Sequence, residues 1–220
     1  LYMAGFWVIP LCNGLTDEDH PTQILADLLT IEEHVRKPLN KVKMVYCGDA
    51  RNNMGNALMI GSAKMGLSFV ALAPKELWPN EELTAEMKEV ARLTGGTIEF
   101  FDINQADMAL KGADVLYTDV WVSMGEEGKF AERIAQLEKY RITMDFLRKT
   151  GNPDCVFLHC LPAFHDTETA VGAEIAQKHG IKEMEVSDEV FRSRHSVVFD
   201  QAENRLHTIK AVMVATIGDV

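Results

Sequence analysis

Short β-rich runs alternate with longer helical stretches along most of this chain. Apolar, β-branched and aromatic residues cluster at 43–47 (KMVYC), 68–73 (SFVALA), 97–101 (TIEFF), 114–118 (DVLYT) and 155–160 (CVFLHC). Between them, apolar residues recur at helical spacing over 52–65, 80–93, 105–110, 129–139 and 143–149, and again over 169–179 and 203–217. Residues 196–199 (SVVF) read as a short extended piece. Strands separated by crossovers of this kind form right-handed βαβ units. The expected fold class is α/β, a Rossmann-like mostly parallel sheet with helices on both faces. Residues 15–35 differ, reading as a loop followed by one long helix from Pro21. Pro at a first helical position and Thr22 fit a helix start. This helix precedes the first βαβ strand and is expected to be a helical remnant of a second domain, or a bridge from one.

In a sheet of this kind ligands bind outside the carboxyl ends of the strands. The loops there read Gly48-Asp49-Ala50-Arg51-Asn52-Asn53, then 119–125 (DVWVSMG), then 159–166 (HCLPAFHD). All three are polar and should converge on one edge. The first contains neither a dinucleotide fingerprint nor a phosphate loop, so NAD and ATP lose their best sequence support. Of Asn52 and Asn53, one can cap the next helix. The other could bond a zwitterionic ligand. Asp119 suits either a turn or a ligand ammonium, and spacing alone favours the turn. His159-Cys160 invites a Cys–His nucleophile, but strand neighbours point to opposite faces, which makes that reading weak. His20 and Gln23 flank a helix start, where a donor and an amide can polarise a carbonyl; His20 could equally be an ordinary loop residue. Arg205, early in the last helix, is either a surface residue or an oxyanion clamp.

Charge narrows the partners. Among 220 residues, 22 Lys and Arg face 33 Asp and Glu, a net charge of −11. That disfavours a nucleic-acid backbone as partner, while leaving room for a small anion held locally. Four cysteines lack C-x-x-C spacing, so reduced thiols in a cytosolic protein are the expectation. Cys155 and Cys160 could be a metal pair, but two residues along a strand and its end is the simpler reading. Residues 1–11 are apolar but lack a basic flank and a cleavage site, and are too short for a bilayer. No membrane partner and a cytoplasmic location follow as expectations.

Taken together, several strings resemble the ornithine carbamoyltransferase family. They are NGLTDEDHPTQILADLLTIEEH (13–34), GDARNNMGN (48–56), DVWVSMGE (119–126), TGNPDCVFLHCLPAFHD (150–166), MEVSDEVF (184–191) and FDQAENRLHTIKAVMVATIG (199–218). They stand in the family's order and cover nearly the whole chain from Asn13. His-Pro-Thr-Gln is shared with other carbamoyltransferases, whereas the Ser-Met-Gly loop and His-Cys-Leu-Pro point to ornithine.

The resemblance implies transfer of the carbamoyl group of carbamoyl phosphate to the δ-amine of L-ornithine, giving citrulline and phosphate. It implies no metal, no cofactor and no covalent enzyme intermediate. Carried to matching positions, it implies that His20 and Gln23 hold the carbamoyl group and that Arg205 stabilises its developing oxyanion. Asn53, Asp119, Ser123 and Met124 would hold the α-amino and α-carboxylate end of ornithine. Cys160 and Leu161 would lie beside the side chain and the carbamoyl group. Homotrimers or higher oligomers are implied as well. The implied division is 1–35 as the remnant of a carbamoyl phosphate domain, 36–200 as the ornithine-binding α/β domain, and 201–220 as a helix packing back on the first unit.

The sequence departs from the family pattern in two places. Residues 5–14 (GFWVIPLCNG) are longer and more apolar than usual. The family's phosphate-binding Ser-x-Arg-Thr-Arg motif is nowhere in the 220 residues. The expectation is therefore a chain with little turnover by itself. Two other functions stay open: a non-catalytic amino-acid-binding module, and a carbamoyltransferase for another amine such as putrescine.

Overall fold

The computed structural model describes residues 12–122 and 127–218. Ser123 and Met124, and residues 1–11, lie outside these described residues. Five strands, β1 (Lys43–Cys47), β2 (Ser68–Leu72), β3 (Thr97–Phe101), β4 (Val115–Thr118) and β5 (Val156–His159), form one sheet. All pairings are parallel and the order is β3-β2-β1-β4-β5. Chain direction across the sheet therefore reverses between β1 and β4, the switch point where open α/β sheets bind ligands.

Alternation along each strand divides the core in two, because successive side chains face opposite ways. Met44, Tyr46, Phe69, Tyr117 and Leu158 face one side. There they meet α1 (Pro21–His34), α2 (Asn53–Met65) and α3 (Glu81–Thr94) through Ile31, Leu58 and Met87. Val45, Val70, Leu72, Leu116 and Phe157 face the other side. There they meet α4 (Ala106–Leu110), α5 (Phe130–Leu137), α6 (Met144–Thr150), α7 (Ala170–His179) and α8 (Asp188–Phe191). Each large apolar side chain buried this way contributes about 1.5–3 kcal/mol.

The last helix, α9 (Val198–Ile217), packs along α1. The seam between them is polar. Asn204 donates to Thr30 Oγ1 at 3.0 Å and to Glu33 at 2.6 Å, and Gln201 donates to Asp27 at 2.7 Å.

One expected element is corrected. Residues 196–199 are not a strand, since only Ser196 forms a lone parallel bridge with Phe157. Val197 N–H donates to Phe157 O, and Gln201 N–H already closes the first helical turn on Val197 O. Val198 and Phe199 thus begin α9, with Val198 buried against the sheet. Their β-branched and aromatic character is overridden by tertiary context.

Candidate active site

The carboxyl ends of β1, β4 and β5 open into a cavity of about 790 Å³, together with the start of α1 and Arg205 of α9. That volume suits a small-molecule site. Most of its polar lining comes from the loops singled out in the sequence, joined by Arg133 of α5 and Arg205 of α9.

After β1 the chain turns at Gly48, whose φ of +137° favours glycine. Asn52 then caps α2, its side-chain oxygen accepting from Gly55 N–H at 2.8 Å. A Cβ on Gly55 would overlap the Ala50 backbone, so this residue lets the loop fold tightly onto the helix start. The Asn52 amide also donates to Asp119 at 3.2 Å. Asn53 lines the same cavity and donates to Thr16 O at 2.8 Å. Asp49 is buried and paired with Arg133 at 3.3 Å, which ties α5 to the β1 loop.

Asp119 ends β4 and is 8% exposed. Its oxygens accept from Val120 N–H at 2.8 Å, from the Cys160 thiol at 3.1 Å and from Asn52. No Lys or Arg pairs with it among the described residues. Burial pushes its carboxyl upward, and the hydrogen bonds from Cys160 and Val120 offset this only in part. A buried carboxylate with neutral donors and no cation is costly. It is suited to a ligand ammonium.

After β5 the chain is held from within. The fully buried Glu185 accepts from His159 Nε2 at 3.2 Å and from Phe164 N–H at 2.7 Å. His159 Nδ1 accepts from Leu161 N–H at 2.8 Å, so the proton of the neutral ring sits on Nε2. These bonds hold Leu161 in the left-handed region at φ +57°, an uncommon and costly conformation for leucine. Asp119, His159 and Cys160 could each offer an atom to a cation. Here the thiol is spent on Asp119 and both ring nitrogens on other partners. Burial first, and then the Asp119 charge, push the Cys160 thiol well above its usual range.

Across the cavity, Arg205 donates through Nη1 to Gln23 Oε1 and to His20 Nε2 at 3.3 Å, and through Nη2 to Thr22 Oγ1 at 3.3 Å. Arg205 Nε is buried and has no hydrogen-bond partner among the described residues. Burial, then the Arg205 charge, lower the His20 pKa, so the imidazole is neutral near pH 7. A guanidinium, a neutral imidazole and an amide thus meet at one point beside the start of α1. A separate hollow of about 570 Å³ shares Leu15, His20 and Arg205 with that cavity but runs along apolar α9 residues such as Ile209 and Met213.

His20, Gln23 and Arg205 therefore meet as one group. Asp119, Cys160 and Leu161 stand just past the facing strand ends, with Asn53 at the start of α2. The reading of the sequence missed Asn52 as the partner of Asp119, and it missed Asp49, Arg133, Glu185, Asp27 and Gln201. Of these only Asp27 left a signal, lying one turn beyond Gln23 on the same helix face.

The family model for the aspartate/ornithine carbamoyltransferase, Asp/Orn-binding domain, matches residues 40–216. A curated relative from Clostridium perfringens (strain 13), named ornithine carbamoyltransferase, catabolic, is 58% identical over 211 residues. The alignment covers 96% of this chain and 63% of that protein, so the chain spans under two thirds of the relative's length. Among solved structures, ornithine carbamoyltransferase from Pyrococcus furiosus superposes with a TM-score of 0.83 at 38% identity, over 99% of this chain and 63% of that one. The enzyme from Gloeobacter violaceus gives a TM-score of 0.78 at 35% identity, over 96% of this chain and 64% of that one.

Proposed function

The chain belongs to the aspartate/ornithine carbamoyltransferase family, and on that premise we propose that the protein carrying it transfers the carbamoyl group of carbamoyl phosphate to the δ-amine of L-ornithine. The neutral amine attacks the carbonyl carbon. The C–N bond forms, the bond from that carbon to the phosphate oxygen breaks, and the amine loses a proton. Citrulline and phosphate leave.

One observation carries the choice of substrate: Asp119 is a buried carboxylate without a cationic partner among the described residues. It offers its charge to the α-ammonium of ornithine. L-Aspartate would bring two carboxylates into the same cleft, and putrescine has no amino-acid end to be read. Asn53, with Ser123 and Met124 of the next loop, completes the proposed hold on that end. Cys160 and Leu161 flank the reacting amine.

Arg205 and His20 polarise the carbamoyl oxygen from opposite the strand ends, and Gln23 holds the group beside them. Donors placed where negative charge develops lower the barrier of such a reaction more than any other single device. Juxtaposing the two substrates adds the rest. The phosphate end needs cations beyond Arg205, and the sequence has no Ser-x-Arg-Thr-Arg string. Little turnover is therefore proposed for the 220 residues by themselves.

The packing of α9 along α1 supports a last helix that folds back on the first unit. No described helix is long and apolar enough to cross a membrane. Four free cysteines support a reducing compartment, the cytoplasm. A homo-oligomer is proposed from family resemblance, and sedimentation tests it.

The reaction is tested by assaying citrulline against pH. The amine's free pKa is about 10, so the rate should rise above neutrality. A rate falling steadily from about pH 6 to about pH 8 would contradict attack by the neutral amine.

A further inference from the structure

Asp27 is a charged residue in the middle of α1, wholly out of contact with solvent. It does not line the cavity. One of its oxygens accepts from two side-chain amides, Gln23 Nε2 at 2.8 Å and Gln201 Nε2 at 2.7 Å. The other oxygen has no hydrogen-bond partner among the described residues. Gln201 continues the network: its Oε1 accepts from His159 N–H at 2.9 Å, and its Nε2 lies 3.0 Å from the Tyr117 hydroxyl.

An amide side chain fits a site almost equally well in two orientations, with oxygen and nitrogen exchanged. A carboxylate only accepts, so it removes that freedom. Beside Asp27, Gln23 must turn its NH₂ inward, which leaves Oε1 facing Arg205. The same carboxylate turns the Gln201 NH₂ inward and its Oε1 toward the end of β5. One group thereby orients both halves of the cleft: the Gln23–Arg205 contact on the helix side and the His159–Cys160 backbone on the strand side. Were Gln23 reversed, its NH₂ would confront the guanidinium, and Arg205 would lose an acceptor that holds it over the carbamoyl site.

We propose that Asp27 is a positioning residue for carbamoyl transfer, fixing the orientation of the Gln23 amide and through it the placement of Arg205. This rests on the reaction proposed above. The charged and titratable groups facing Asp27 are Tyr117 from β4, Arg205 from α9 and Cys160 at the end of β5. Burial raises the Asp27 carboxyl to about 7, so the native protein changes its protonation in an accessible range. A protonated carboxyl gains a donor and no longer dictates both amides.

The experiment combines NMR of the Gln23 side-chain NH₂ signals, assigned with Gln23→Asn, and kinetics of native protein and Asp27→Asn across pH. In native protein the Gln23 signals should titrate near pH 7. In Asp27→Asn they should shift and stop titrating. That variant should lose about 10- to 100-fold in kcat through misplacement of catalytic groups, with the KM for ornithine changed less than about twofold. The component of its pH–rate profile near 7 should vanish, while the rise caused by the substrate amine remains. Gln23 NH₂ signals in native protein that show the shifts and fast solvent exchange of an exposed, unbonded amide would overturn the proposal even if the variant fails to fold. So would an Asp27→Asn enzyme with native kcat and pH profile. Native protein that forms no citrulline while its Gln23 signals still titrate would instead overturn the carbamoyl-transfer reading, leaving the orienting role of Asp27 intact.

Discussion

The Cys160 thiol donates to the Asp119 carboxylate across 3.1 Å, joining the end of β5 to the end of β4. This contact makes the thiol a hydrogen-bond donor and keeps it protonated, because burial and the adjacent negative charge both oppose thiolate formation. Nucleophilic catalysis by Cys160 is thereby disfavoured. Cys160→Ser preserves a donor to the Asp119 carboxylate, so the bond survives and turnover should stay within about tenfold of native. Complete loss of activity in a folded Cys160→Ser protein would restore the nucleophile. Alkylation read by peptide mass spectrometry at neutral pH should modify exposed Cys12 well before Cys160.

Asp119→Asn separates function from stability. The native carboxyl is raised by burial, so ionising it costs folding free energy. The sign follows from linkage: a raised pKa contributes stability below the unfolded value that is lost as pH rises through the folded one. Above neutral pH the Asn variant should therefore melt higher than native. Ornithine affinity should fall by about 10- to 100-fold, the worth of a hydrogen bond to a charged group. A variant that binds ornithine normally would remove Asp119 from the ammonium site.

How far the sequence reveals this arrangement depends on the distance between partners. The strands at 43–47 and 97–101 are readable from β-branched runs, and helix ends from glycines such as Gly66, Gly95 and Gly180, which adopt left-handed caps. The convergence of three loops follows from parallel strands all pointing their carboxyl ends one way. Residues 196–199 mislead because a four-residue apolar run cannot tell a strand from the first turn of a buried helix. Asn52 with Asp119, Asp49 with Arg133, and His159 with Glu185 leave no spacing signal, since each pair is brought together only by the sheet.

Arg205→Ala should lower kcat by about 10²- to 10³-fold, the cost of removing one oxyanion donor. Ornithine binding should change little, because Asp119, past the end of β4, and Asn53, at the start of α2, lie across the cavity from Arg205. Single-turnover measurements check this. An unchanged kcat would take Arg205 out of the oxyanion role.

Gly55→Ala should destabilise the fold by about 1–3 kcal/mol, typical of overpacking. Its Cβ would meet the Ala50 backbone, which cannot move aside as a flexible side chain could. The displaced loop carries Asn52 and Asn53, so ornithine affinity should fall as well. Denaturant unfolding and calorimetry read the two effects.

Stability should also fall as pH rises through about 7, where Asp27 ionises inside the α1–α9 seam. His20 acts oppositely: its lowered pKa contributes stability above the unfolded value of about 6.5 that is lost as pH falls. The difference in melting temperature between native and Asp27→Asn isolates the carboxyl. That difference should grow from about pH 4 to about pH 7 in favour of the variant and level off above it. A constant difference would show that Asp27 does not titrate there.

The most direct test of the proposed activity is carbamoylation of L-ornithine, L-aspartate and putrescine, measured side by side with carbamoyl phosphate and the protein carrying this sequence. Citrulline formation should exceed carbamoylation of either competitor by at least about 100-fold in kcat/KM, because a site built to bond an amino-acid end penalises its absence. Asp119→Asn should narrow the gap to putrescine. Equal or faster carbamoylation of putrescine or L-aspartate by the native protein would contradict the assignment of this cleft to ornithine.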